Sequence, residues 1–95
     1  MKLWIDDVRI PPEGYTWCKS TNEAIDTIEK NKDIIELIDI DHDAGDYCAD
    51  GGDYIRVLDW LEFSGLSYPV HIHSMNPVGV ANMRLIIQKN GWVEK

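Results

Sequence analysis

Cysteine is scarce in this 95-residue chain: Cys18 and Cys48 are the only two, and they make neither a CxxC pair nor a disulfide framework. Positive charge is short as well. Nine Lys and Arg face seventeen Asp and Glu, for a formal net charge of −8 and a pI near 4.6. That balance argues against a basic stripe that would hold long nucleic acid by its backbone, and against attraction to an anionic membrane surface. A single phosphate end remains possible, because it needs only one well-placed cation. No apolar run approaches the ~18–20 residues of a membrane span. The opening Met1-Lys2-Leu3-Trp4-Ile5-Asp6-Asp7 meets acid too soon for a signal-peptide core. There is no repeat, linker or low-complexity stretch. The expectation is one soluble cytoplasmic domain over residues 1–95, with free thiols.

What the chain does have is apolar mass. Hydrophobic residues make up 44%, including four Trp and four Tyr, which is enough for one real core and argues against disorder. The Trp and Tyr residues are scattered along the chain, which favours core over a base-stacking platform. Short β-rich runs alternate with helical patterns, the mark of an α/β layer fold. Strands are expected at Lys2–Ile5, Tyr15–Cys18, Ile34–Ile40 and Tyr68–His73. The Ile-rich third run reads as a strand buried on both faces. Ser20 and Glu23 form a capping box for a helix reaching about Asn31, with Ala24, Ile25 and Ile28 inward. A second helix is expected from about Asp53 to Phe63, with Tyr54, Ile55, Leu58 and Leu61 on one face and Gly65 as its stop. Asn76-Pro77 caps and opens a third, which would turn Ala81, Leu85 and Ile86 or Ile87 to the core and close at Asn90-Gly91. Trp92-Val93 offers a stub of a fifth strand.

The link between the first two runs is about eight residues, too short for a crossover helix. Extended, it spans about 25 Å, enough to return along the first strand, so both parallel and antiparallel pairing are open. Right-handed connections place the third run beside the first and the fourth beside the third, for a strand order of 2-1-3-4. In that order the ligand crevice lies outside the carboxyl ends of the strands, at the point where the order reverses. Asp6-Asp7, Asp41-His42-Asp43 and His73-Ser74-Met75-Asn76 all sit at those ends. Gathering Asp6, Asp7 and Asp41 is costly, since two unit charges 4 Å apart repel by about 4 kcal/mol at an effective dielectric of 20. Such a site must bind a cation, protonate a carboxylate or splay its side chains into solvent. Oxygen ligands suit Mg²⁺, Mn²⁺ or Ca²⁺, and adding His42 would favour Mn²⁺ or heavier ions.

Other readings of these residues are weaker. Asp39-x-Asp41-x-Asp43 opens like an EF-hand loop, but Gly45 falls one position late and Asp50 stands where Glu is needed. His71-x-His73 could form half a zinc site, yet no third ligand has a recognisable spacing, and packing is the simpler role for His71. Cys18 reads as a small buried apolar residue, and Cys48 as a loop thiol.

Four stretches resemble the cyclic-phosphate-processing receiver family, a divergent offshoot of response-regulator receiver domains. They are Ile5-Asp6-Asp7-Val8-Arg9-Ile10-Pro11-Pro12, Thr21-Asn22-Glu23-Ala24-Ile25, Ile40-Asp41-His42-Asp43-Ala44-Gly45 and His73-Ser74-Met75-Asn76-Pro77-Val78-Gly79-Val80-Ala81-Asn82-Met83. The resemblance implies a flavodoxin-like three-layer α/β fold with the first crossover helix missing. It also implies a divalent ion, Mg²⁺ or Mn²⁺, held by Asp6, Asp7 and Asp41, with Asp43 a further candidate ligand. Arg9, Ser74 and Asn76 would bind phosphate, and His42 and His73 would serve with Asp41 in catalysis. The implied activity is a metal-dependent phosphoesterase on a cyclic or terminal phosphate, such as an RNA 2′,3′-cyclic end or a cyclic nucleotide. The alternative is a non-catalytic signalling or binding module, phosphorylated on Asp41 or docking a partner around it. A signalling receiver also uses a Lys after a full fifth strand, and only Lys95 is left for that role here.

Overall fold

The computed structural model describes residues 1–95. Strand β1 (Lys2–Ile5) is followed by β2 (Tyr15–Cys18), helix α1 (Thr21–Lys30), β3 (Leu37–Ile40), a short 3-10 turn (Gly45–Tyr47), α2 (Ile55–Ser64), β4 (Val70–Ile72) and α3 (Pro77–Asn90). The strands form one sheet in the order β2-β1-β3-β4, with every pairing parallel. This settles the direction of β2: the segment 6–14 runs back along β1 without a helix. Beyond β4, Glu94 bridges in parallel to Val70, and this is all that forms of a fifth strand.

The strands are in register, Leu3 beside Ile38 and Ile5 beside Ile40, so one sheet face carries Leu3, Ile5, Cys18, Ile38, Ile40 and Val70. All six are buried in a single core with Ala24, Ile28, Val57, Leu58, Leu61, Met83 and Ile87 from the helices. All three helices lie on that face. Each connection that carries a helix advances in the same direction across the sheet, and right-handed crossovers then put every helix on the same side. Of the connections between these strands, only β1–β2 runs the other way, so a helix there would have covered the opposite face. The receiver-like α/β fold with its first crossover helix missing is present, and its three expected layers reduce to two.

Local chemistry explains most boundaries. Ser20 Oγ accepts the Glu23 N–H at 3.0 Å as the expected capping box requires, but Glu23 Oε1 reaches one residue further back and accepts the Lys19 N–H at 3.2 Å instead of that of Ser20. Helix α2 stops at Gly65, whose φ of +76° suits a left-handed C-cap. Strand β3 is shorter than expected. Residues 34–36 instead leave the α1 turn and clasp the N-terminus, with Ile34 O accepting from the Met1 amino group and Glu36 N–H donating to Met1 O.

The inward face of α3 also differs from the expectation. Gly79, Met83 and Ile87 are buried, a row spaced by four, while Ala81 is exposed and Leu85 is 63% exposed. Asn76 Oδ1 accepts the Gly79 N–H and sets the helix phase, and Gly79 is small enough to let the helix approach the sheet edge. Ile87→Ala should lower the unfolding free energy by about 2–5 kcal/mol, whereas Leu85→Ala should change it by no more than about 0.5 kcal/mol. Urea titration of the two variants compares them, and equal losses would place Leu85 in the core after all.

Candidate functional site

Because β1, β3 and β4 are parallel and in register, the residues that follow them emerge at one rim. Asp6, Asp41 and His73 each continue the ladder by one residue, donating their N–H groups to Cys18 O, Ile5 O and Ile40 O. One side-chain ligand atom from each lies within 4.8 Å of the others.

His73 is the most constrained of them. Its Nδ1 is 2.5 Å from Asp39 Oδ1, its Nε2 is 2.9 Å from Asp6 Oδ2, and its ring stacks on Trp4 at 3.9 Å between centroids and 5° between planes. A neutral imidazole carries a single N–H, so both contacts become hydrogen bonds to carboxylates only in the imidazolium form. Burial by itself pushes the His73 pKa down, but Asp39 and Asp6 outweigh it and hold the value above the ordinary one. Asp39 was not among the residues expected at the site. The signal was a lone carboxylate inside an otherwise apolar strand, since a buried charge needs a partner.

Asp6 has no exposed surface. Burial alone would raise its pKa, but the N–H groups of Arg9 and Val8, each donating to Oδ1 at 3.0 Å, and the His73 imidazole bring it below the ordinary carboxylate value. Asp7 beside it shifts the other way, raised by burial and by the charges of Asp6 and Asp41. Gly45, with φ of +54°, passes directly over the Asp7 carboxylate, and a Cβ there would collide with Oδ2. Arg9 reaches across from the β1–β2 segment. Its NH1 donates to His73 O at 2.8 Å and stands 3.9 Å from both Asp6 Oδ2 and Asp41 Oδ2.

A second group adjoins the first. Asp41 Oδ1 accepts the His42 N–H at 2.7 Å, and His42 Nδ1 pairs with Asp43 Oδ1 at 2.8 Å. Pairing with His42 lowers the Asp43 pKa against a smaller effect of burial, with help from Asn76. Asn76 Nδ2 donates to Asp43 at 3.2 Å while its Oδ1 caps α3, and Ser74 Oγ accepts the Asn76 N–H at 3.1 Å. Asp53 Oδ1 accepts the Ala44 N–H at 3.0 Å and completes a His42–Asp43–Asp53 cluster. The structure therefore brings Asp6, Asp41, His73 and Arg9 together, with Asp7 alongside. Asp43 stands with His42 and Asp53, apart from the Asp6–Asp41–His73 group.

Residues set aside in the sequence also have defined places. His71 is exposed, with Nδ1 3.0 Å from Lys95 O, so it does not pack in the core. It does not pair with His73, whose two nitrogens both face carboxylates. Burial pushes the Cys18 thiol up to about 11, which leaves it a packing residue, and Cys48 is exposed.

Four carboxylates, Asp6, Asp7, Asp39 and Asp41, thus share the rim with one guanidinium and one imidazole. Burial raises the Asp7 pKa, and the charges of Asp6 and Asp41 add to it. An all-oxygen donor set with excess charge fits a hard divalent cation such as Mg²⁺ or Mn²⁺. An all-parallel 2-1-3-4 sheet with an acidic pair after its first strand and an aspartate after its third defines a receiver-like domain. Within that class, the chain belongs to the cyclic-phosphate processing receiver domain family, which matches residues 1–89. No curated protein and no solved structure matches it. No helix is long and apolar enough to cross a membrane.

Two outcomes follow for stability. A histidine whose folded pKa is raised adds stability that is full below its unfolded value of about 6.5 and is lost as pH rises through the folded value. Thermal melts from neutral to alkaline pH should therefore show wild type losing an advantage over His73→Gln, and a constant gap would mean His73 is neutral in the fold. Gly79→Ala should destabilise, although in an exposed helix it would gain about 1 kcal/mol, because the new Cβ would collide with the His42 ring. A raised melting temperature would show that contact to be unimportant.

Proposed function

We propose that this chain is a divalent-metal-dependent phosphoesterase acting on a cyclic or terminal phosphate, with an RNA 2′,3′-cyclic end or a cyclic nucleotide as the substrate class. One observation carries the reading: buried Asp6 and Asp41 converge with Arg9 at a rim flanked by two histidines, each paired with its own carboxylate. A signalling switch needs no such histidine pairs. The family's description supports the cyclic phosphate as the group processed.

Asp6, Asp7 and Asp41 would hold Mg²⁺ or Mn²⁺, which when bound supplies charge neutralisation at the phosphate and a more acidic water. Arg9 is partly exposed, and its guanidinium can turn from His73 O to grip two phosphate oxygens. The Ser74 hydroxyl and the Val78 N–H, the one donor in the first turn of α3 that Asn76 does not take, add further donors near the amide of Asn76. His42 is oriented through Nδ1 by Asp43, leaving Nε2 to accept a proton from the attacking water. His73 stores a proton between Asp39 and Asp6 for the leaving ribose oxygen. Water oxygen bonds to phosphorus, one P–O ester bond breaks, and the two histidines exchange the protons, so one water is added overall.

Asp41 also occupies the place of a receiver's phosphoacceptor, which supports the alternative of a module phosphorylated there. Lys95, however, forms its backbone contacts with β4, and Arg9 is the cation beside Asp41.

Incubation with nucleoside 2′,3′-cyclic phosphates and Mg²⁺ or Mn²⁺ should give a nucleoside monophosphate. Chelation should abolish the reaction, and Asp41→Asn should slow it by about 10²–10³-fold, the usual effect of losing a major electrostatic group. If no cyclic phosphate is turned over and a small phosphodonor labels Asp41, the enzyme reading fails and the switch replaces it.

A further inference from the structure

The absence of a helix between β1 and β2 leaves one sheet face without a layer, and this face is not an ordinary polar surface. The β1–β2 register places Lys2 beside Tyr15 and Trp4 beside Trp17, all pointing away from the core. Trp4, Tyr15 and Trp17 are half-buried and none belongs to the core, so three of the eight Trp and Tyr residues gather here. The other five bear out the expectation of a core role: Tyr54 and Tyr68 are buried in it, and Tyr47, Trp60 and Trp92 pack against it.

The rings are tied to the rim chemistry. Trp17 Nε1 donates to Asp6 O and Trp4 Nε1 to Arg9 O, each at 2.8 Å, and Trp4 carries His73 on one face. Trp4 also meets the edge of Tyr15, at 6.0 Å and 82°. The remaining π-faces attract cations: Lys19 Nζ lies 4.5 Å from the Trp17 ring centre, and Lys2 Nζ lies 5.6 Å from that of Tyr15. On a chain with net charge −8, two lysines over aromatic rings put local positive charge on this face, on the side of Trp4 away from its β3 neighbour Asp39.

We infer that this helix-free face is a stacking platform for the single-stranded ribonucleotides that precede the reacting phosphate, an inference that rests on reading the rim as a phosphate site. Aromatic rings stack successive bases with little regard to sequence, and lysines beside them follow the backbone. Trp17 lies nearest the rim and Tyr15 two residues further back, about 6.6 Å along the strand. A base on each would displace Lys19 and Lys2 from over the rings onto the neighbouring phosphates and lead the chain to Arg9 and Asp6. The substrate is then the 3′ end of an RNA, and a free cyclic mononucleotide would fill only the rim.

The test compares a fluorescent tetraribonucleotide ending in a 2′,3′-cyclic phosphate with the mononucleoside 2′,3′-cyclic phosphate, with divalent ions chelated so that the end stays intact. Wild type should bind the tetranucleotide at least about tenfold tighter, since stacking of each base contributes on that scale. The double variant Lys2→Glu/Lys19→Glu, whose changes are confined to surface side chains, should bring the ratio towards one. It should also flatten the log–log salt dependence by about 1.4, or about 0.7 for each phosphate no longer neutralised by a lysine. Trp17→Leu should reduce the ratio as well. Equal affinity of wild type for the two ligands, or a preference that survives the double charge reversal, overturns the platform. Turnover of cyclic phosphate without a length preference removes the platform alone. A charge-dependent length preference without turnover keeps the platform and removes the enzyme reading.

Discussion

The site depends on an imidazole held between two buried carboxylates. Asp39 and Asp6 face the two nitrogens of His73, and the flat contact with Trp4 fixes the ring plane. Without that positive group, three buried aspartates would meet with only a half-exposed Arg9 to offset them. Removing one partner of a buried charge pair costs far more than the pair contributes, because the remaining charge loses both water and counter-charge. The arrangement is therefore mutually dependent: the aspartates hold the histidine proton, and the proton allows the aspartates to stay together.

The same crowding explains why the residues at the strand ends are so short and so closely bonded to main chain. Asp6 takes two N–H groups of the turn that follows it, Asp41 takes that of His42, and Gly45 gives the Asp7 carboxylate space that any side chain would remove. These contacts orient the carboxylates before a ligand arrives, and such preorganisation is what makes charged groups effective towards phosphate. The second cluster of His42, Asp43 and Asn76 adds another imidazole, paired with one carboxylate instead of two.

Losing one helix has two consequences. It shortens the β1–β2 connection so that Arg9 is delivered directly to the rim, with its main-chain oxygen bonded to Trp4. It also leaves Trp4, Tyr15 and Trp17 on a face that a full receiver fold would cover. The remaining core closes on a single side, yet it is complete enough to bury Leu3, Ile5, Ile38 and Ile40 entirely.

Periodicity and caps in the sequence determined the strand order, the number of helices and the convergence of Asp6, Asp41 and His73, because each follows from short-range patterns and the handedness of parallel connections. The Ser20 and Asn76 caps, the Gly65 stop and the burial of Cys18 were legible for the same reason. Three matters were decided only in three dimensions. The direction of β2 depended on whether the segment 6–14 could return along β1, and its length permitted either answer. The inward row of α3 is Gly79, Met83 and Ile87 because close approach to His42 selects the residue without a side chain, a contact between segments 37 residues apart in the sequence. The role of Asp39 was hidden because its partners lie on β4 and at the end of β1, and a lone carboxylate in a strand acquires meaning only when the fold brings an imidazole to it.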